Sequence, residues 1–159
     1  MRAAVLLGLL VPLGLGWVRG SAEEPPTQVP LAVIAHAGVP EDDVSLSELR
    51  KIFLGDRQFW KGEMRVVLLV PPARSGERAT LLGKVYEKTE SQYRHYWISK
   101  VFRTESQTAP KVVKAESAGE LVRQIPGAIA VIDAARAPAG VKVLRVDGKT
   151  AADADYPLR

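Results

Sequence analysis

The chain has 159 residues, a formal net charge of +4 and no cysteine. The absence of cysteine excludes disulfides, thiolate metal sites and a lipid anchor on an N-terminal cysteine. The two histidines are too few to favour a metalloenzyme. The modest net charge gives no reason to expect nucleic acid as a partner.

The first 22 residues have the pattern of an export signal. Arg2 precedes an apolar block over residues 3–18, and small residues at 20–22 offer a cleavage site. We therefore predict a cleaved signal peptide over residues 1–22 and an exported, periplasmic mature protein. An uncleaved membrane anchor is the alternative, but the block is short and Pro12 interrupts it.

The mature chain is long enough for one domain. Residues 23–30 are rich in proline and acid and predict a disordered leader, residues 31–149 an α/β domain, and residues 150–159 a loosely held tail. Residues 57–114 contain twelve basic and five acidic side chains, a net charge of +7. Such clustering can attract an anionic ligand or an acidic partner.

The first predicted elements are a strand, a helix and a second strand. The strand covers Leu31–Ala35, and Ser45 and Glu48 have the form of a capping box that opens the helix. Gly55 is placed to end this helix, and the apolar run over residues 64–70 predicts a buried strand. This order predicts parallel pairing of the two strands with a right-handed crossover.

The next predicted helix starts at Ser91 and carries Tyr93, Trp97 and Val101 on one face. This stripe is more typical of a core than of a surface that stacks nucleobases. A second capping box at Ser117 predicts a helix that Pro126 stops. Three further strands are predicted over residues 111–113, 128–132 and 141–146. The predicted fold class is α/β, with a mostly parallel central sheet flanked by helices.

The connection after the second strand contains the main candidate site. Ser75 can cap the following helix, and Gly76 permits close approach to the backbone N–H groups at its start. Arg74 and Arg78 flank this cap, and a guanidinium binds phosphate or carboxylate through two hydrogen bonds. The alternative is an ordinary strand-to-helix connection with solvated arginines.

His36 is a further candidate, because it follows the first strand and ligands approach the carboxyl ends of strands in open α/β sheets. The alternative is that His36 has a structural role only. Ser75 lacks the preceding glycine of a nucleophile elbow, and residues 76–84 lack the spacing of a phosphate loop. We therefore predict a protein that is not an enzyme and uses no cofactor or metal.

Four segments, taken together, resemble a known protein family. The family is the phosphate-binding-protein-like group of ABC-transporter receptors, and the match is to its small bacterial PstS-like members. It extends over roughly residues 31–146. The matching segments are Leu46-Ser-Glu-Leu-Arg-Lys-Ile-Phe-Leu-Gly55 with Trp60, Ser75-Gly76, Tyr96-Trp97 with Val101-Phe102, and Pro126-Gly-Ala-Ile129.

The resemblance implies one lobe of a type-2 periplasmic-binding-protein fold, in which ligand lies between two α/β lobes that close by a hinge. Family receptors have an arginine ahead of a Ser-Gly-Thr run. Here Pro71 lies four residues before Ser75, Arg74 can substitute for the arginine, and Glu77 replaces the threonine. Later, Ala130-Val131 replaces a frequent Gly-Tyr pair.

The resemblance also implies a function without catalysis. The protein would bind phosphate or a similar small oxyanion at Arg74, Ser75, Gly76 and Arg78, with His36 lining the site. An ABC permease, another envelope protein or a second copy of the chain would be its protein partner. The rival hypothesis is an envelope interaction module that kept the fold, lost the ligand, and binds an acidic protein through its basic middle third.

Overall fold

The computed structural model describes residues 26–103 and 109–159, so the predicted signal peptide over residues 1–22 lies outside the described residues. Within them, six strands form one sheet: β1 Leu31–Ala35, β2 Asp43–Val44, β3 Val67–Val70, β4 Lys111–Val112, β5 Ala128–Asp133 and β6 Lys142–Val146. The α-helices of the same residues are α1 Leu46–Phe53, α2 Gly76–Thr80, α3 Glu90–Phe102 and α4 Ala115–Gln124. Helix α2 continues into a π-helical segment, Leu81–Tyr86. No helix of the described residues is long and apolar enough to cross a membrane.

The sheet is mixed, with strand order β2-β6-β1-β5-β3-β4. Strand β1 is antiparallel to β5 and β6, whereas β3 is parallel to β4 and β5, and β2 is parallel to β6. The predicted α/β class with flanking helices is confirmed. The predicted parallel pairing of the first two long strands is wrong, because β5 lies between β1 and β3 and β1 runs opposite to both.

Helices cover both faces of the sheet. Because successive side chains of a strand point to opposite faces, the core is divided into two clusters, one on each face. Leu31 and Val33 belong to the cluster under α1, the π-helical segment and α3, whereas Ala32 and Ile34 face α4. The predicted core positions of Tyr93 and Trp97 on α3 are confirmed. Val101, predicted to share their face, is instead 44% exposed.

The helix starts follow the sequence signals only in part. Ser45 caps α1, and its hydroxyl accepts a hydrogen bond from the N–H of Glu48 at 3.1 Å. The Glu48 carboxylate, predicted to complete a capping box, accepts from the Lys51 ammonium at 2.9 Å. Helix α3 begins after a complete capping box centred on Thr89, not at Ser91.

Both ends of the domain are held to the rest of the fold by hydrogen bonds. The N–H of Val29, in the predicted leader, donates to the Thr80 hydroxyl at 2.9 Å, and that hydroxyl donates to the Val29 carbonyl at 2.7 Å. At the other end, Leu31 donates from its N–H to the Leu158 carbonyl at 3.0 Å. Tyr156 and Leu158 are buried in the core, so the prediction of a loosely held tail is wrong.

Candidate functional site

The connection between β3 and α2 has the predicted cap. Ser75 has an extended backbone, and its hydroxyl accepts a hydrogen bond from the N–H of Arg78 at 3.1 Å. The N–H groups of Gly76 and Glu77, in the first turn of α2, have no acceptor within the helix. A side chain at Gly76 would lie 2.7 Å from the Thr27 carbonyl oxygen, so the chain's own leader explains the glycine without a ligand.

A pocket of about 250 Å³, which we call the strand-end pocket, opens beside this connection. It lies at the carboxyl ends of β3, β4 and β5, which share an edge because these strands are parallel. Ser75 lines it together with Lys114, which precedes α4, and Arg136, which follows β5. Helices α2 and α4 therefore both begin at this pocket. Since α4 starts at Ala115, the capping box predicted at Ser117 is wrong.

The strand-end pocket also contains two carboxylates of the chain. Glu77 is 8% exposed, and its Oε1 lies 4.0 Å from a guanidinium nitrogen of Arg136. The second terminal nitrogen of the Arg136 guanidinium, Nη2, donates to Glu116 Oε1 at 3.0 Å. Hydrogen bonds from its own backbone N–H and from Arg136 lower the pKa of Glu116. An entering anion must therefore compete with these carboxylates for Arg136.

Arg74 and Arg78 line a different cavity from Ser75. This cavity, which we call the basic cavity, has a volume of about 800 Å³ and lies between residues 26–28, α2 and the start of α3. Arg74 has a left-handed backbone, with φ of 69°, and its side chain is on the surface. The structure therefore divides the predicted site between two cavities.

Arg78 is a packing residue. It is 4% exposed, and its guanidinium donates from Nε and Nη2 to the two carboxylate oxygens of Glu90, at 3.0 Å each. The same group lies 3.9 Å from the ring centre of Tyr93. Burial alone would lower the pKa of Arg78, but the hydrogen bonds with Glu90 raise it above its usual value. Because Glu90 fills its bidentate fork, an external oxyanion would have to displace Glu90 to bind Arg78 as predicted.

His36 lies at the opposite edge of the sheet. Because β1 is antiparallel to β5, the N–H of His36 donates to the carbonyl of Ala128, the first residue of β5, at 2.9 Å. Its Nδ1 accepts from the N–H of Gly38 at 3.0 Å. The prediction that His36 lines the same site as Ser75 therefore fails. Across residues 26–103 and 109–159, no group of three or more potential metal ligands comes together.

Comparison with solved structures identifies the fold. An ABC-type phosphate transport receptor from Vibrio cholerae matches with a TM-score of 0.60 and 17% identity, over 76% of this chain and 47% of that chain. A phosphate ABC transporter substrate-binding protein from Clostridium perfringens, solved with bound phosphate, matches with a TM-score of 0.57 and 22% identity, over 77% and 47%. PstS from Borrelia burgdorferi matches with a TM-score of 0.56 and 18% identity, over 76% and 48%.

No protein-family model and no curated protein sequence matches the chain. The chain spans about half the length of the solved receptors. The expected resemblance is therefore confirmed in the fold: the chain has the α/β architecture of PstS-like phosphate receptors, over a length that corresponds to one lobe.

Proposed function

We propose that the protein is an exported, non-enzymatic solute-binding lobe that binds phosphate or a similar small oxyanion in the strand-end pocket. The observation that carries this proposal is the convergence of two helix N-termini with Lys114 and Arg136 at one edge of the sheet. The fold shared with phosphate receptors, one of them solved with bound phosphate, supports it. Helix N-termini and basic side chains together favour a bound anion.

In this site the N–H groups of Gly76 and Glu77 would donate to the oxyanion, Ser75 would hold the helix start, and Lys114 and Arg136 would supply positive charge. Glu77 opposes binding, because its buried carboxylate lies at the same helix start. We therefore expect weak affinity, with a dissociation constant near the millimolar range.

Isothermal titration with phosphate, with sulfate in parallel, tests the proposal. Replacing Glu77→Thr removes the opposing carboxylate and supplies the residue found in the family, so phosphate affinity should rise about tenfold. Arg136→Ala should lower it, and Lys61→Ala, an exposed basic position away from the pocket, should leave it unchanged. The proposal fails if Glu77→Thr and Arg136→Ala both bind phosphate as the unmodified protein does.

A second candidate function, docking to an envelope protein, is favoured by the surface of α3. Ile98 is 70% exposed and Phe102 is 89% exposed, and both share a helical stripe with the exposed Arg94. The docked partner would be an ABC permease or a second copy of the chain. Crosslinking in envelope membranes, with and without phosphate, should give a product that Phe102→Ser abolishes if this surface docks.

The proposal that the protein is exported rests on the sequence of residues 1–22. The intact mass of the protein recovered from the envelope fraction checks the proposed cleavage after residue 22. A mass that includes those residues would contradict the cleaved signal.

A further inference from the structure

The basic cavity has the size of a site for a small organic ligand. Its volume of about 800 Å³ lies within the range of known small-molecule sites and is several times that of the strand-end pocket, about 250 Å³. An inorganic oxyanion would contact only a fraction of its walls. The volume of the cavity therefore accommodates a molecule larger than phosphate.

The charge of the basic cavity is strongly positive. Its lining residues include four basic side chains, those of Arg74, Arg78, Lys88 and Arg94, and one acidic side chain, that of Glu90. The bidentate contact between Arg78 and Glu90 balances one positive charge against the negative one. The lining therefore carries a net charge of +3, which favours an anionic ligand.

One wall of the basic cavity is apolar. Ala79 and Leu82 contribute it from α2 and the π-helical segment. Gly83 adjoins them, and a Cβ there would lie 3.2 Å from the side-chain nitrogen of Gln28. The leader thus packs closely along the cavity, and an apolar group could rest on Ala79 and Leu82 beneath the basic residues.

Unusual backbone conformations occur in the lining of the same cavity. Arg74 has a φ of 69°, in the left-handed region that favours glycine. Leu82 and Gly83 belong to the π-helical segment Leu81–Tyr86, a conformation that occurs often at functional sites. Both features carry a free-energy cost, and such costs are found more often at ligand sites than elsewhere.

We propose that the basic cavity binds an organic anion that combines a phosphate or carboxylate group with an apolar body. Arg74, Lys88 and Arg94 contact the anionic group, and the apolar body lies on Ala79 and Leu82. This site is separate from the oxyanion site proposed in the strand-end pocket. Occupation of one does not require the other.

Isothermal titration with phenyl phosphate, inorganic phosphate and phenol tests the proposal on the exported form of the protein. Phenyl phosphate carries both required groups, so it should bind at least about tenfold more tightly than either of the other two. Its affinity should also fall as salt concentration rises, because the basic side chains at the mouth of the cavity are accessible to solvent.

Variants locate the site. Arg94→Ala and Lys88→Ala should each weaken phenyl phosphate binding roughly three- to tenfold, and the double variant should weaken it further. Lys61→Ala is the matched control for a lost surface charge. Arg136→Ala separates the two proposals, because it removes a basic side chain from the strand-end pocket, does not touch the lining of the basic cavity, and should leave phenyl phosphate affinity unchanged.

Three results would overturn the proposal. The first is no saturable heat with phenyl phosphate at about 10 mM. The second is equal affinity for phenol, which would show that charge plays no part. The third is unchanged affinity in the Arg94 and Lys88 double variant, which would place the ligand elsewhere.

Discussion

The indole nitrogen of Trp60 donates a buried hydrogen bond to the carbonyl oxygen of Gly127 at 2.9 Å. This bond joins two segments on which the resemblance to phosphate receptors rests, the one that ends in Gly55 and Trp60 and the one that contains Gly127. Gly127 has a φ of 75°, and a Cβ there would lie 2.0 Å from the Arg65 carbonyl oxygen. Immediately before β5, Gly127 is therefore held by the Trp60 side chain and packed tightly against the backbone of Arg65.

Replacing Gly127→Ala should destabilise the protein severely. The new methyl group would collide with rigid backbone and would also occupy a left-handed conformation, so we expect a loss of at least about 3 kcal/mol in the free energy of unfolding. Gly140→Ala is the matched control, because Gly140 has a φ of 77° but a Cβ added there would meet no atom within 4 Å. It should lose only about 1 kcal/mol. Urea denaturation measures both, and equal losses would contradict the predicted collision.

Replacing Arg74→Gly should not destabilise the protein and is expected to stabilise it by up to about 1 kcal/mol. The residue has a φ of 69°, which costs an arginine more than a glycine. The same change should weaken phenyl phosphate binding, because it removes one positive charge from the basic cavity. The unfolding temperature of this variant should therefore rise while its affinity for phenyl phosphate falls. A clear drop in stability would show that side-chain contacts of Arg74 outweigh its backbone strain.

Replacing Arg78→Ala should lower the free energy of unfolding by about 2 to 3 kcal/mol. The change removes a buried guanidinium and leaves the Glu90 carboxylate, which is 34% exposed, without its partner. Arg136→Ala breaks an ion pair whose arginine side chain is 54% exposed, and it should cost less than about 1 kcal/mol. Similar losses in the two variants, measured by urea denaturation, would argue against a packing role for Arg78.

The positions of the main strands are predictable from the sequence, but their neighbours are not. The apolar runs at Leu31–Ala35 and Ala128–Asp133 mark β1 and β5 in the sequence almost to the residue. A strand buried on both faces is apolar throughout and carries no signal of its direction. Local patterns therefore do not reveal the insertion of β5 between β1 and β3, and they place His36 at the wrong edge.

The candidate site is predictable only where its chemistry is local. The Ser75 cap depends on residues close in sequence, and the prediction of it is confirmed. Lys114 and Arg136 reach the strand-end pocket because β4 and β5 run parallel to β3, a long-range pairing that local patterns do not encode. The one feature of the sequence that indicates Lys114 and Arg136 is their position, since each follows a predicted strand. Arg74 is separated from Ser75 because its left-handed backbone places it at the other cavity.

The free energy of unfolding should fall at alkaline pH because Tyr156, in the C-terminal segment, is buried. Burial raises the pKa of Tyr156 from its ordinary value of 10.0 to about 12 in the folded protein. Between pH 10 and pH 12 the unfolded chain loses this proton while the folded chain keeps it, so stability falls as pH rises through that range. Below pH 10 the contribution is fully present. The total effect of a shift of this size is roughly 2 to 3 kcal/mol.

Comparing the unmodified protein with Tyr156→Phe isolates this effect. Burial also raises the pKa values of Tyr86 and Tyr93, but both tyrosines remain in the variant, so their contributions cancel in the difference. Urea denaturation at a series of pH values from 9 to 12 should show a shallower loss of stability for Tyr156→Phe. The two curves should diverge only above about pH 10. Parallel curves over the whole range would show that the Tyr156 hydroxyl reaches solvent, and hence that the C-terminal segment is held less tightly than its contacts indicate.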